Sequence, residues 1–307
     1  MLRLVPLSKT RPTMIAQDHE IHALTETLIY ELVKAFALPR SELANRLIRL
    51  AFGKAARATA EVGIGLDCAV AEGGLPAGAR WLLPRFVKSH SACGVERIPA
   101  SGPLVIASNH PASIDSIVIS AHVNRPDYKV IIGDIPFFEH LPHVSQYSIF
   151  APDTNNTVGR MQVVRESIRH LRNGGALLIF PRGTIEPDPD FMPHPDAEFA
   201  HWSRSLEIFM QRVPGLQILI TIASGVISQS AMHHPITWFR RTRPDRQRLA
   251  FLYQLARQML SGRQIFGLTP RITFGEMVAG ENHQHMLVEI EQAARRTLCR
   301  HMKGVEV

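Results

Sequence analysis

The sequence predicts an α/β protein with a mixed, largely parallel sheet flanked by helices and preceded by an N-terminal helical region. Short apolar runs, such as residues 104–107 and 176–180, alternate with longer segments of helical period after about residue 93. Before that point the apolar residues recur mainly at helical spacing. We therefore expect a helical region at residues 1–90 and an α/β domain with a C-terminal helix at residues 91–307.

Two amphipathic helices are predicted in the first region. Apolar side chains recur every three or four positions from Ile21 to Phe36, and Pro39 ends that pattern. Ser41 is a suitable N-cap for a second helix that runs to about residue 51. Residues 63–80 are rich in glycine and small side chains, which predicts a connection. Residues 1–14 are basic and contain proline, and we expect them to be poorly ordered.

The second region predicts alternating strands and helices. A turn at residues 99–103 separates the first two strands, and an Asn-Gly-Gly sequence at residues 173–175 is typical of a helix C-terminus. Strands are expected at residues 94–98, 104–107, 128–132, 176–180, 216–223 and 271–274, and helices at residues 113–123, 158–172 and 281–301.

Composition restricts the class of protein. The 307 residues carry a net charge of +7 and a pI near 9.7, which suits an anionic partner such as an acidic lipid surface or a phosphate-bearing substrate. The three cysteines are odd in number and lack metal-ligand spacing, so a reducing, cytoplasmic location is favoured over a disulfide framework. No apolar run reaches about 18 residues, and we expect association with a membrane from one side at most.

A histidine and an aspartate, His110 and Asp115, follow the apolar run at residues 104–107. Residues five apart do not share a face of a regular helix, so the two side chains meet only if the chain turns between them. Pro111 favours such a turn, and Ser113 is positioned to cap the following helix. An aspartate that binds one imidazole nitrogen fixes the tautomer and makes the other nitrogen a better base. The pair therefore predicts proton transfer from a hydroxyl group.

These residues resemble the glycerolipid acyltransferase family. Its first motif, N-H-x4-D, matches Asn109, His110 and Asp115, and Pro136 begins a downstream Pro-Phe segment like one in the family. Its third motif, approximately F-P-E-G-T, matches residues 180–184 except at the glutamate. The resemblance covers roughly residues 90–230. It implies transfer of a fatty acyl group from acyl-CoA or acyl carrier protein to a hydroxyl of glycerol 3-phosphate, a lysophospholipid or a related lipid, without a metal or bound cofactor.

Residue roles follow from the resemblance. His110 would be the general base and Asp115 its orienting partner, and backbone N–H groups near Gly183 and the start of the following helix would bind an oxyanion or a phosphate. Arg182 replaces the family's glutamate, and residues 149–153 lack the arginine that usually ends the second motif. Arg182 could supply that charge from a new position, as could Lys129 or Arg160. The expected substrate-binding residues are Asn109, Ser113, Arg182, Gly183 and Thr184.

Two other features have simpler alternatives. Five arginines lie between Trp238 and Arg248 beside two aromatic residues, and they suit an anionic membrane surface, the phosphates of coenzyme A or ordinary solvation. Nucleic acid is not an expected partner. The fifteen histidines are not at zinc-site spacing with cysteines or carboxylates, so no metal site is expected.

The altered third motif leaves two alternatives to the acyltransferase prediction. One is a catalytically silent lipid- or acyl-binding protein, and the other is an enzyme with an acceptor outside the glycerolipids.

Overall fold

The structure is a computed structural model that describes residues 14–304 except 40, 153–155 and 280–284, and it leaves out the side chains of residues 14–17. The expectation of poor order at residues 1–14 falls outside this range, apart from Met14, which begins the first helix.

Helices and strands alternate after two N-terminal helices. The α-helices are α1 (Met14–Ala35), α2 (Glu42–Leu82), α3 (Ile114–Ser120), α4 (Pro142–Gln146), α5 (Thr157–Arg172), α6 (Ser205–Arg212), α7 (Gln229–Met232), α8 (Arg243–Ser261) and α9 (Met286–Lys303). The strands are β1 (Ser91–Cys93), β2 (Leu104–Ser108), β3 (Tyr128–Gly133), β4 (Ser148–Ala151), β5 (Ala176–Ile179), β6 (Gln217–Ser224) and β7 (Arg271–Ala279).

Within the described ranges, the strands form a seven-stranded sheet in the order β1-β7-β6-β2-β5-β3-β4. Every neighbouring pair is parallel except β6 and β7, which are antiparallel. The predicted mixed, largely parallel sheet is therefore confirmed. Strand β2 lies between β5 and β6, so the carboxyl ends of these three parallel strands meet at one edge of the sheet.

The sheet divides the apolar core into two layers. In β2, Leu104 and Ile106 belong to one cluster with side chains from α2, α3 and α8, whereas Val105 and Ala107 belong to a second cluster with side chains from α6 and α9. Successive strand residues point to opposite faces, and here both faces are covered by helices. This accounts for the continuous apolar runs from which the strands were predicted.

The connection predicted at residues 63–80 is wrong, because these residues belong to α2. The helix is interrupted at Gly74, which has φ 75° and ψ 177°, two residues before Pro76. The glycines and other small residues of this segment let neighbouring side chains pack closely against the helix. A Cβ added to Gly63 would lie 2.8 Å from the Phe137 ring. The N-terminal helical region is therefore packed on the α/β part, since Leu66 and Leu82 share a core cluster with β2.

Several element boundaries also differ from the prediction. Residues 94–98 are not a strand: β1 ends at Cys93, Gly94 has φ +75°, and a 3-10 helix follows over Val95–Arg97. Strand β4 was not predicted, and β7 extends five residues beyond the expected end. The Ser41 N-cap is confirmed, because its side chain accepts a hydrogen bond from Ala44 N. Among the described residues, none of the helices is long and apolar enough to span a bilayer.

Candidate active site

The turn between β2 and α3 brings His110 and Asp115 together. His110 Nδ1 lies 2.9 Å from Asp115 Oδ2 and 3.1 Å from Oδ1. The same carboxylate accepts a hydrogen bond of 3.1 Å from Ala112 N, which closes the turn around it. Asp115 is completely buried. Because a carboxylate accepts hydrogen bonds, Nδ1 carries the hydrogen and Nε2 has the lone pair.

The imidazole of His110 is held between apolar and charged groups. Its ring stacks on Phe180 with 4.2 Å between centroids and 28° between planes. Burial lowers the pKa of His110, but the charge and the hydrogen bond of Asp115 raise that pKa by more, so it lies above its ordinary value. The side chain is 22% exposed, which leaves the ring accessible from solvent. Within the part of the chain that the structure describes, Nε2 makes no hydrogen bond.

A buried carboxylate that the motif comparison did not identify, Glu186, holds the backbone of His110. Glu186 Oε2 accepts from His110 N at 2.8 Å, and Glu186 N donates to His110 O at 2.9 Å. Its other oxygen accepts from Trp202 Nε1 at 3.0 Å. Burial raises the pKa of Glu186 to about 7, against the lowering effect of its hydrogen bonds. In the sequence Glu186 lies two residues after Thr184, outside the motif, whose glutamate position is occupied by Arg182.

The third-motif turn follows β5 and lies beside the His110 turn, because β5 and β2 are parallel neighbours. Gly183 has φ 68° and donates its N–H to Phe180 O at 3.0 Å, so this N–H is already used within the turn. Gly183 is exposed and Thr184 is half-buried, next to the site. The positive φ explains why glycine suits this position in the turn.

Arg182 is bound by a carboxylate of the protein. Its Nε donates to Glu198 Oε2 at 2.8 Å, and Arg243 Nη2 donates to Glu198 Oε1 at 2.9 Å. Both oxygens of Glu198 are therefore occupied by guanidinium groups. Arg182 as the source of a charge for the substrate stays a prediction: its Nε is paired with Glu198, while Nη1 and Nη2 form no hydrogen bond among the described residues.

Two other expected substrate-binding residues make contacts different from those expected. Asn109 is buried, and its side-chain amide exchanges two hydrogen bonds with the backbone of Ala223 in β6, at 2.9 Å and 2.7 Å. The contact shown for Asn109 is thus structural and joins β2 to β6. Ser113 is exposed and does not cap α3 through its side chain, so the predicted cap is wrong. Asp115 closes that turn instead, through Ala112 N.

Helix α8 covers the two turns. Gln247 is buried, and its Nε2 donates to Pro111 O at 2.6 Å and to Glu186 O at 2.8 Å. Arg243 Nη1 donates to the same amide, at Oε1, and fixes its orientation. The next residue, Arg248, is exposed, and its charge acts on His110 in the direction that lowers the pKa of the imidazole. Arg248 forms no hydrogen bond or ion pair with any residue that the structure describes.

The remaining candidate cations lie on other elements. Lys129 is in β3 and Arg160 is in the first turn of α5, and neither is bonded to the His110 turn in the described ranges. The described part of the chain also holds no group of three histidine, cysteine, aspartate or glutamate side chains arranged to bind a metal.

Comparisons with known proteins find one family model and one listed solved structure. Residues 91–211 match the family model described as Acyltransferase. No curated protein matches. Among solved structures, the crystal structure of the 1-acyl-sn-glycerophosphate (LPA) acyltransferase PlsC from Thermotoga maritima is similar, with 15% identity, a TM-score of 0.47, and coverage of 95% of this chain and 96% of that chain. The family match runs from β1 into α6 and contains His110, Asp115 and Glu186, and this segment of the chain is similar to the acyltransferase family.

Proposed function

We propose that this protein transfers a fatty acyl group from a thioester donor, acyl-CoA or acyl carrier protein, to a hydroxyl group of a glycerolipid precursor. The observation that carries the proposal is the His110 arrangement. Nδ1 is held by the buried Asp115 carboxylate, while Nε2 is unbonded among the described residues and the ring is accessible. This is the geometry that a general base requires.

The proton transfers follow from that geometry. Nε2 of His110 takes the proton of the acceptor hydroxyl as the hydroxyl oxygen attacks the thioester carbonyl. Asp115 stabilises the imidazolium ion that forms. When the carbon–sulfur bond breaks, the imidazolium returns its proton to the thiolate, so that the products are an ester and a free thiol. Neither a metal nor a bound cofactor is needed for these steps.

The acceptor or donor carries an anionic group, and Arg248 is the residue that we assign to it. Arg182 and Arg243 are both paired with Glu198, and Arg248 has no such partner within the described ranges. Asp245, a carboxylate on which the charge of Arg248 acts, is bound by Arg240 at 3.2 Å and by Thr242 at 2.9 Å. A guanidinium group binds phosphate oxygens through two parallel hydrogen bonds.

A membrane surface is the proposed location of the acceptor. Trp238 is 71% exposed and Phe239 is 73% exposed, and both lie in the 3-10 helix directly before α8. Arg241 follows them and is exposed, with no ion pair among the described residues. Aromatic side chains beside a cation suit the boundary between lipid head groups and acyl chains. Because α8 covers the His110 turn, contact at this segment would bring lipid near the site.

Turnover assays test the proposal. Purified protein is incubated with acyl-CoA or acyl carrier protein and a panel of lysolipids, and free thiol and esterified lipid are both measured. We expect His110→Ala to lower kcat by about 10²- to 10⁴-fold, the usual contribution of a general base. Undiminished turnover in this variant would refute the assignment of His110.

A second histidine–aspartate pair provides a matched control. His143 Nδ1 lies 2.7 Å from Asp67 Oδ2, a geometry close to that of His110 and Asp115. Asp67 also accepts hydrogen bonds from the N–H groups of His143 and Val144, so it caps α4. We therefore expect His143→Ala to retain activity. Thiol release without an acceptor would indicate a thioesterase, and binding of acyl-CoA without turnover would indicate a silent acyl-binding protein.

A further inference from the structure

Four arginines line a groove that is separate from the His110 site. Three of them lie on α5 at spacings of four and three residues, and the fourth ends α6. The groove has a volume of about 620 Å³ and is lined by Arg165, Ile168, Arg169, Arg172, Asn173 and Arg212. We call it the arginine groove.

The arginine groove lies at the opposite edge of the sheet from His110. Arg172 ends α5 four residues before Ala176, the first residue of β5, and β5 runs towards the third-motif turn. Four strand residues span about 13 Å, at about 3.3 Å per residue. Ile168 also packs on the core layer of α6 and α9, whereas Phe180, on which His110 stacks, packs on the other layer. A ligand in the groove would therefore not contact the proposed base.

No carboxylate neutralises these four side chains in the parts of the chain that the structure describes. All four arginines are exposed, and none forms an ion pair there. Glu166 of α5 and Glu207 of α6 form no ion pair with these arginines among the described residues, and Asp127 is bound by Arg125 through two hydrogen bonds of 2.9 Å and 2.6 Å. Like charges at helical neighbour spacing destabilise a helix in the absence of a counter-ion.

Helix capping explains part of the cluster but not all of it. Cations in the last turn of a helix are favoured by the helix dipole, which accounts for Arg169 and Arg172 in α5 and for Arg212 in α6. Arg165 lies outside the last turn and gains little from the dipole. The C-terminal ends of α5 and α6 also contact each other, because Arg172 Nε donates a hydrogen bond to Arg212 O at 2.9 Å. This contact ties the guanidinium group of Arg172 to the C-terminus of α6.

We infer that the arginine groove binds a small polyphosphate anion, a molecule with at least two linked phosphate groups and little apolar surface. Positions 165, 169 and 172 extend over about 10 Å of helix, at 1.5 Å per residue, which exceeds the reach of one phosphate. Guanidinium groups match phosphate oxygens in pairs. The lining contains one apolar side chain and no aromatic ring, so a nucleobase or an acyl chain would find few contacts.

Calorimetric titration with inorganic tripolyphosphate tests this inference, which does not depend on acyl transfer. We expect saturable binding with one site per chain and an affinity that falls as ionic strength rises. Replacing both Arg165 and Arg169 with glutamine should weaken binding by at least about tenfold, the size expected when charge-assisted hydrogen bonds are lost. The matched control replaces Arg257 and Arg263 with glutamine. Both are exposed and have no side-chain bond among the described residues, and we expect unchanged affinity.

Four outcomes would overturn the inference. One is the absence of saturable binding by the wild-type protein. Another is an equal loss of affinity in both double variants, which would mean that net charge alone determines binding. The third is loss of binding in His110→Ala, which would place the anion at the His110 site. Anionic vesicles that bind through Arg165 and Arg169 when tripolyphosphate does not would likewise overturn it, in favour of a membrane surface.

Discussion

Glu186 and His110 are joined by two hydrogen bonds. The Glu186 carboxylate accepts the N–H of His110 at 2.8 Å, and the Glu186 N–H donates to the carbonyl of His110 at 2.9 Å. The carboxylate is buried, and Trp202 fixes its second oxygen. The contact therefore joins the loop after β5 to the turn after β2. It holds the backbone of His110, whereas Asp115 binds the imidazole ring.

Substitution of Glu186 by glutamine should shift the pH dependence of turnover. The charge of Glu186 raises the pKa of His110, so its removal lowers that pKa. Because the proposed base acts as neutral imidazole, the acid limb of the kcat/KM profile should move to lower pH. The measurement is kcat/KM between pH 5 and pH 9. A merely structural role would lower activity equally at every pH and leave the limb unchanged.

Substitution of Arg248 by alanine should shift the same limb in the opposite direction. The charge of Arg248 lowers the pKa of His110, so the variant should have a higher pKa and need a higher pH for activity. The KM for the substrate that carries the phosphate should rise by about tenfold or more, as expected for a lost charged hydrogen bond. Lysophosphatidic acid compared with monoacylglycerol distinguishes acceptor phosphate, and acyl-CoA compared with acyl-pantetheine distinguishes donor phosphate.

The control for Arg248 is Arg257→Ala, which removes the same charge from an exposed position of the same helix. We expect this variant to keep the wild-type KM and pH profile. Equal changes in the two variants would contradict a specific role for Arg248.

His301 should make stability depend on pH. It is buried, with Nδ1 at 2.8 Å from Thr273 Oγ1 and Nε2 at 2.8 Å from Ser224 Oγ. Burial lowers the pKa of His301 to about 4, below the ordinary value of 6.5. The unfolded chain therefore takes up a proton that the folded protein excludes as pH falls. Stability from this group is present above about pH 6.5 and is lost as pH falls towards 4.

The measurement is the free energy of urea unfolding of wild type minus that of His301→Gln, between pH 4 and pH 8. The difference should fall by up to about 3 kcal/mol as pH decreases across this range, at about 1.4 kcal/mol per pKa unit. The pKa of Glu186 is raised, so its contribution to stability increases as pH falls, opposite to that of His301. Taking the difference between the two proteins removes the Glu186 contribution. A difference that is constant with pH would contradict a neutral buried His301.

Gly94 should tolerate alanine much less well than Gly102. Both have positive φ, 75° and 90° respectively. An added Cβ at Gly94 would lie 2.0 Å from Phe274 O, whereas at Gly102 it would meet no described atom within 4 Å. We expect Gly102→Ala to cost about 1–2 kcal/mol from the backbone conformation. Gly94→Ala should cost a further 1–3 kcal/mol or more, roughly the penalty of overpacking. If the two variants lose equal free energy of urea unfolding, the backbone at Phe274 can move to make room for a Cβ at position 94.

The sequence predicted the elements whose signals are local. Apolar runs with helical segments between them predicted β2, β5 and β6, and the Ser41 cap predicted the start of α2. The prediction of a connection at residues 63–80 was wrong because the small residues there allow close packing of a helix. Gly63 lies within α2 and leaves space for the Phe137 ring, and no local pattern distinguishes such a glycine from one in a loop. Gly94 is the reverse case, since its conformation interrupts what resembled a strand.

By itself, the sequence predicted the alternating α/β order and the pairing of His110 with Asp115, because apolar runs and a short spacing that contains Pro111 are local signals. The tertiary structure alone decided which charges the site contains. Glu186 binds His110 from 76 positions along the chain, and Glu198 pairs with both Arg182 and Arg243. Helix α8 brings Arg248 close enough for its charge to lower the pKa of the imidazole. These relationships depend on which strands become neighbours and on which helix covers them. Such contacts depend on distance in space, which the spacing of residues along the chain does not encode.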